Sequence, residues 1–400
     1  MKREKVCARI SLKMTDISKM YLGFINSGIG ILSEKNVFGL QVANHQFMQA
    51  LLDYSDLAGY HYFVTDNLIK TYQKFLKKSF GKHPKYSKIK IIPFSELKSF
   101  VQKNNYIAFH HGDPFAGTDY YLRQELGCKK YPVTCFVHTV SGGFVPERLL
   151  ATLLGNTKKY DVFFCATKAL SQALENIFQR IKEVTKTPDN FQGKLINIPF
   201  GVDIKRFKPR PKNKIREILK MPKKGIIIGH IGRLTAWNKM DLVPLLEIFK
   251  VLLDKLQRKD VYLYIIGKEQ HQGYLKLLRS KAKALKIQNK IKFVTNHKNN
   301  QIPEYYSALD IFVSPSDHVQ ETFGITPIEA MASGVPVVVS DWDGYKETVK
   351  EGKTGFRIPT YWHACVEGVK DSLYTEGIQN VYMQLGQAVA IDVSKYVEAL

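Results

Sequence analysis

The sequence predicts an α/β fold of two doubly wound parallel-sheet domains facing across a cleft, and three observations carry the prediction. The chain has 400 residues, more than the 250–300 or so that one hydrophobic core organises. Short continuous apolar runs recur along it, separated by gaps long enough for a helix, which is the pattern of strands buried on both faces of a parallel sheet. Near residue 205 both periodicities stop, and KRFKPRPKNKIREILKMPKK (205–224), with two early prolines, reads as a linker. The division expected is 1–205 for an N-terminal Rossmann-like domain on the acceptor side and 206–385 for a C-terminal Rossmann-like domain. The remainder, 386–400, reads as the start of a C-terminal helix cut short where the chain stops.

The elements follow in order. A helix is expected near 43–52, and the residues before it give no clear strand; Gly28, Gly30 and Phe38-Gly39 there could be a Gly-rich ligand loop or an ordinary turn. YHYFVT (60–65), KIKIIPF (88–94), NYIAFHH (105–111), PVTCFVHT (132–139), DVFFCAT (161–167) and LINIPFG (195–201) are strand candidates, with a helix over 168–181. The second half is cleaner: IIIGHIG (226–232), VYLYIIG (261–267), IKFV (291–294), LDIFVSP (309–315) and VPVVVSD (335–341) read as strands. Over 241–256, Leu242, Leu245, Leu246, Ile248, Phe249 and Leu252 recur at helical spacing. Residues 67–80 place Leu68, Ile69, Tyr72, Phe75, Leu76 and Phe80 on one helical face and Lys70, Lys74, Lys77 and Lys78 elsewhere. That helix either packs into the core or lies on an anionic membrane surface. LGQAVAIDVSKYVEAL (385–400) reads as a helix without a terminator.

Bulk properties narrow the class. Apolar residues are 44% and charged residues 24% of the chain, which excludes a disordered protein. No window approaches the roughly 20 apolar residues of a membrane span, and the charged start leads into no apolar run of a signal peptide. Cys7, Cys128, Cys135, Cys165 and Cys365 are odd in number and irregularly spaced, which fits a reducing cytoplasm; Cys135 and Cys165 fall inside apolar runs as buried free thiols. The net charge of +23 points to an anionic partner or to a solvated lysine-rich surface.

The chemistry concentrates in SDHVQETFGITPIEAMASGVP (316–336). Glu321 and Glu329 are separated by seven residues, with Phe323-Gly324-Ile325 and Pro327 between them. Pro327 suits a first helical turn, Gly324 lets backbone approach a ligand, and free N–H groups at that helix start would face an anion. Carboxylates beside such a cradle need hydroxyl donors, and sugar or ribose hydroxyls supply them. The segment resembles the E-x7-E region of retaining GT-B glycosyltransferases of family 4. IPFGVDIKRFKP (198–209) is similar to that family's interdomain signature, HIGRLTAWNKMDLVPLLEIF (230–249) to its G-R-L element with Met240 in place of a glycine, and GVPVVVSDWDGYKETVKEGKTGF (334–356) to the stretch that follows. The likeness spans about 132–360 and is weak before it.

The resemblance implies a GT-B fold and transfer of a sugar from a nucleotide-sugar donor, UDP-linked first and GDP-linked next, to a glycan, lipid-linked or other hydroxyl acceptor, as in cell-envelope glycan synthesis. Arg233 and Lys239 would clamp the diphosphate, Glu321 would hold the donor sugar and Glu329 the ribose. Gly232, Phe323, Gly324, Ile325 and Thr326 would line the donor, and His138, followed by Ser141-Gly142-Gly143, would reach the sugar from the first domain. Base contacts are expected near Thr295 and His297. Each residue also has a plainer reading: surface charges for Arg233 and Lys239, dipole-answering carboxylates for the glutamates, a core histidine for His138. No cofactor and no metal is expected; Asp341-Trp342-Asp343 is a loop triplet in a metal-free context. The location expected is cytoplasmic, either free or in peripheral contact with the inner membrane face. A non-catalytic nucleotide-sugar-binding domain, or an enzyme acting on a polyanion such as DNA, ranks below; no helix presents base-reading side chains.

Overall fold

The computed structural model describes residues 16–26, 29, 39–114, 116–127, 131–142, 144–187, 191–270, 272–362, 375 and 377–400. Gly28, Gly30, Phe38, Gly143, Cys7, Cys128 and Cys365 lie outside the described residues. The chain divides into two compact units, one of Met1–Phe136, Leu149–Phe163 and Asp189–Lys194, the other of Val137–Arg148, Phe164–Pro188 and Leu195–Leu400. Among the described residues no helix is long and apolar enough to cross a membrane.

The N-terminal sheet has seven strands: β1 (Tyr21–Ile25), β2 (Gly59–Val64), β3 (Ile89–Pro93), β4 (Tyr106–His111), β5 (Val133–Val137), β6 (Val162–Cys165) and β7 (Lys194–Asn197), in the order β3-β2-β1-β4-β5-β6-β7. β1 pairs in parallel with both β2 and β4, so a strand absent from the sequence reading stands inside the sheet. Its YLGFI run is interrupted by Gly23, and a Cβ there would fall 2.4 Å from the Phe109 ring on β4. The glycine that hides the strand is what lets that ring cover it. The expected helix near 43–52 runs from Gly39 to Tyr54, and the one expected over 168–181 from Lys168 to Thr185.

The helix Ile69–Phe80, preceded by a 3-10 turn at Asp66–Leu68, turns Tyr72, Leu76 and Phe80 into the core with Leu22, Phe24, Met48, Leu52 and Tyr62. Its apolar face is therefore spent on packing, and Lys70, Lys74, Lys77 and Lys78 are exposed. Arg123 of the helix Gly117–Leu126 forms a bidentate pair with buried Asp161 at 2.6 and 2.8 Å, and the same carboxylate accepts from the Val133 and Lys158 N–H groups. Every acceptor site of that buried anion thus faces a donor, the condition under which such a pair is tolerated. Cys135 and Cys165 are buried free thiols.

The second sheet has six strands: β8 (Ile226–Ile231), β9 (Val261–Ile266), β10 (Ile291–Val294), β11 (Ile311–Ser314), β12 (Val337–Ser340) and β13 (Gly355–Ile358). All its pairs are parallel, in the order β10-β9-β8-β11-β12-β13. The chain winds outward from β8 on one side and from β11 on the other, so the topological switch point lies between these neighbours. A ligand of such a sheet binds beyond their carboxyl ends. The helix expected over 241–256 starts at Val243, because the Asp241 carboxylate stands outside it and accepts the Val243 N–H at 3.0 Å. Leu245, Leu246, Ile248, Phe249 and Leu252 are buried as their spacing requires.

The stretch 385–400 is not one helix. The helix Ile378–Gln387 ends, β15 (Val389–Ile391) pairs antiparallel with β14 (Thr360–Trp362), and Asp392 caps a last helix, Val393–Ala399. Val389 and Ile391 favour the strand, and the Asp392 side chain accepts the Lys395 N–H at 2.9 Å. Tyr396 and Val397 then enter the core of the second sheet.

Candidate functional site

Gly232 and Arg233 follow β8 directly, and the loop 315–324 follows β11. The two chain segments richest in expected site residues therefore leave the sheet on either side of its switch point. Lys239, on the turn after β8, forms an ion pair with Glu321 on the loop after β11, although 82 positions separate them. Their side chains are 18% and 9% exposed, so this is a nearly desolvated pair rather than a surface one. The Tyr345 hydroxyl donates to the same Glu321 oxygen at 3.3 Å and shares a 2.8 Å hydrogen bond with Ser314. Arg233 donates to Gln270 at 2.7 Å and to Asn238 at 3.4 Å, which holds its guanidinium beside the turn that carries Lys239.

Gly324 caps the helix Ile325–Ala332 with φ 85° and ψ 70°. That left-handed residue sets the N–H groups of Ile325 and Thr326 at the free start of the helix, with Pro327 in its first turn. Glu329 lies one turn on, and its carboxylate accepts the Tyr306 hydroxyl at 2.9 Å. Burial pushes the Glu329 carboxyl up to about 7, against the Tyr306 hydrogen bond and the Arg206 and Lys239 charges that lower it. In the segment before β8, Asp203 accepts the Lys205 and Arg206 N–H groups and Phe207 is buried, so the 198–209 signature is a turn anchored into the core.

The second unit also contains His138. Its carbonyl accepts the Thr322 hydroxyl at 2.5 Å, and its ring stacks on Phe200 at 5.2 Å. Phe200 in turn meets the Phe323 ring edge-on at 5.3 Å. His138 is thus fastened directly to Thr322, which follows Glu321, and through Phe200 to Phe323. Asp341 pairs with Arg357 at 3.4 Å, and burial pushes Asp343 up to about 7, with Glu321 and Glu347 adding to the rise. Among the described residues no group of three or more His, Cys, Asp or Glu is placed to hold a metal ion. His297 is half-buried after β10, and burial lowers its pKa.

Sequence reasoning missed the residues that hold these loops. Asp317 and His318 precede Glu321, and His230 lies inside the β8 run. His230 is fully buried, faces the Val313 carbonyl at 3.1 Å, and is pushed down to about 4 chiefly by that burial. Met240, where the family signature has glycine, is buried among the core residues with its sulfur 3.9 Å from Ser314 Oγ.

Asp317 carries a testable consequence. Burial, then the facing Asp241 carboxylate, push it from 3.8 up to about 7. The folded protein therefore keeps a proton that the unfolded chain has released, and stability falls as pH rises through that window. Asp317→Asn cannot ionise, yet its amide oxygen still accepts the Asp241 N–H. Its melting temperature should exceed that of the parent above about pH 7. The advantage should shrink toward zero as pH falls to 3.8, the unperturbed value. Calorimetry that shows a pH-independent difference would remove Asp317 as the titrating group.

Residues 211–388 match the family model Glycosyl transferases group 1. The D-inositol 3-phosphate glycosyltransferase 2 of Catenulispora acidiphila is 25% identical over 210 residues, 51% of this chain and 49% of that protein. The lipopolysaccharide core biosynthesis mannosyltransferase LpsB of Rhizobium meliloti is 34% identical over 158 residues, 39% of this chain and 43% of that one. The chain thus spans about half or less of the length of these relatives. The crystal structure of Anabaena HepE in complex with UDP aligns over 95% of this chain and 97% of its own, with TM-score 0.59 and 16% identity. At that identity the likeness concerns the fold, and the fold is GT-B: two parallel-sheet α/β domains.

Proposed function

We propose that this protein is a retaining glycosyltransferase that moves a sugar from a nucleotide-sugar, UDP-linked first and GDP-linked next, to a hydroxyl of a glycan or lipid-linked acceptor. The observation that carries the reading is the Lys239–Glu321 pair beside Arg233 at the switch point of the second sheet. Two cations that can meet a diphosphate and a carboxylate that can accept sugar hydroxyls are what departure of a nucleotide from a sugar requires. The family match over 211–388 and the UDP bound by HepE support it.

In this reading Arg233 and Lys239 stabilise charge on the leaving diphosphate. The backbone of Gly324, Ile325 and Thr326 approaches its oxygens, with Gly232 and Phe323 lining the donor. Glu321 accepts from the sugar hydroxyls and Glu329 from the ribose. The bond from the anomeric carbon to the diphosphate oxygen breaks, and the acceptor oxygen bonds to the same face of that carbon. The acceptor's proton passes to the departing diphosphate. His138 meets the donor sugar, residues 1–205 hold the acceptor, and the reaction runs without a metal.

A thermal-shift screen of UDP-, GDP- and ADP-sugars tests this. A ligand at a hundredfold excess over its Kd adds about 2.7 kcal/mol to the folded state. One nucleotide series should raise the melting temperature equally with and without EDTA, and Arg233→Ala should abolish the rise. A rise that needs magnesium or manganese would overturn the metal-free mechanism. Indifference to all three series would overturn the donor site itself.

A further inference from the structure

We infer that His318 is a positioning residue that fixes the turn carrying Lys239 against the loop carrying Glu321, and so sets the site's affinity for the donor's diphosphate. The inference rests on the donor-site reading above and adds an element which that chemistry does not use.

His318 is fully buried, and both ring nitrogens have partners. Nδ1 accepts the Gln320 N–H at 3.1 Å, so it carries no hydrogen. Nε2 therefore holds the ring's hydrogen and donates it to the Trp237 carbonyl at 2.6 Å. Gln320 immediately precedes Glu321, and Trp237 stands two residues before Lys239. One imidazole, in one tautomer, thus ties together the two chain segments whose ends form the ion pair.

The neighbouring groups make the tie rigid. Asp317 accepts the Asp241 N–H at 3.2 and 3.3 Å, so the turn is fastened on both sides of Lys239, at Trp237 and at Asp241. Tyr274 donates to Asp241 at 2.9 Å. The Tyr382 ring meets His318 edge-on at 5.3 Å, and Trp342 Nε1 donates to the His318 carbonyl at 3.0 Å. Burial holds the imidazole neutral, pushing it down to about 4, so the tie persists across the physiological range. A lysine is a point charge on a flexible stem, and where its ammonium can rest is decided by its backbone. Misplacement of a binding group by about 1 Å can cost a hundredfold.

The experiment is calorimetric titration of UDP, GDP and ADP into the full chain, its His318→Leu and His318→Gln variants, and Lys239→Met with and without His318→Leu. For the nucleotide that the parent binds best, His318→Leu should weaken affinity about ten- to hundredfold, the size of the loss when a metal ligand is deprived of its outer-sphere partner. His318→Gln, whose amide can still donate to Trp237, should stay within about threefold. In the Lys239→Met background His318→Leu should add less than about twofold, because two residues acting through one interaction do not add. A residue that only maintained the fold would lose affinity in both backgrounds alike. Should the leucine variant not fold, His318→Asn, too short to reach both partners, serves in its place and should match the loss. Equal affinity in parent and His318→Leu, or an undiminished loss beside Lys239→Met, overturns the inference. A parent that binds no nucleoside diphosphate overturns the donor-site reading, and the inference with it.

Discussion

Lys239→Met is expected to reduce turnover by about a hundred- to a thousandfold, the range for removing one preorganised charge from a transition state. The methionine keeps most of the stem and removes only the ammonium. That ammonium faces the Glu321 carboxylate in a nearly solvent-free setting, so its attraction for a phosphate is poorly screened. The charge it meets grows as the diphosphate departs, so the loss should fall mainly on kcat. A second effect must be separated from the first. Without Lys239 the Glu321 carboxylate is left nearly buried, with Tyr345 as its hydrogen-bond donor at 3.3 Å. Breaking one side of such a pair destabilises the fold by about 3 kcal/mol or more. Lys239→Met combined with Glu321→Gln removes both charges and should recover most of the melting temperature while turnover stays low. If the double variant regained turnover with stability, the pair would be a structural brace and the chemistry would lie elsewhere.

The parts of this molecule legible in the sequence are those in which one local property decides the outcome. β9, β11 and β12 are buried on both faces, so each shows as an unbroken apolar run whatever surrounds it. β1 is as central as any of them, yet its apolar run is split by Gly23, whose reason is the Phe109 ring far along the chain. The helix Ile69–Phe80 was readable as amphipathic, but only its packing against Met48, Leu52 and Tyr62 shows what its apolar face meets. The stretch 385–400 misleads because helical spacing survives across Val389–Ile391, while pairing with β14 draws those residues into a strand. The site divides in the same way. Arg233, Lys239, Glu321 and Glu329 stand in motifs whose spacing can be matched to a family. Asp317, His318 and Tyr345 hold those motifs through partners that no spacing connects, such as Trp237 and Asp241. A residue that works by fastening one loop to another leaves no periodic trace.

Gly324→Ala is expected to destabilise the protein by about 2–5 kcal/mol and to abolish nucleotide binding, and two terms make up the loss. Its φ of 85° costs an L-residue roughly 1–2 kcal/mol. The added Cβ would lie 2.2 Å from Tyr345 Cε1 and 2.4 Å from Cδ1, a clash that overpacks a filled interior by about 1–3 kcal/mol. The ring has little freedom to yield. Tyr345 is fully buried, and its hydroxyl is engaged with Ser314 and with Glu321. Relief must come either from shifting the start of the helix Ile325–Ala332 or from moving Tyr345 off Glu321, and each disturbs the proposed donor site. Gly352→Ala separates the two terms: φ there is 66°, and a Cβ would meet nothing within 4 Å. It should cost about 1 kcal/mol, the backbone term alone. Chemical denaturation of the two variants then measures the clash by difference. A Gly324→Ala loss no larger than that of Gly352→Ala would mean that Tyr345 moves aside freely, and the hydrogen bond from its hydroxyl to Glu321 could not be what fixes the carboxylate.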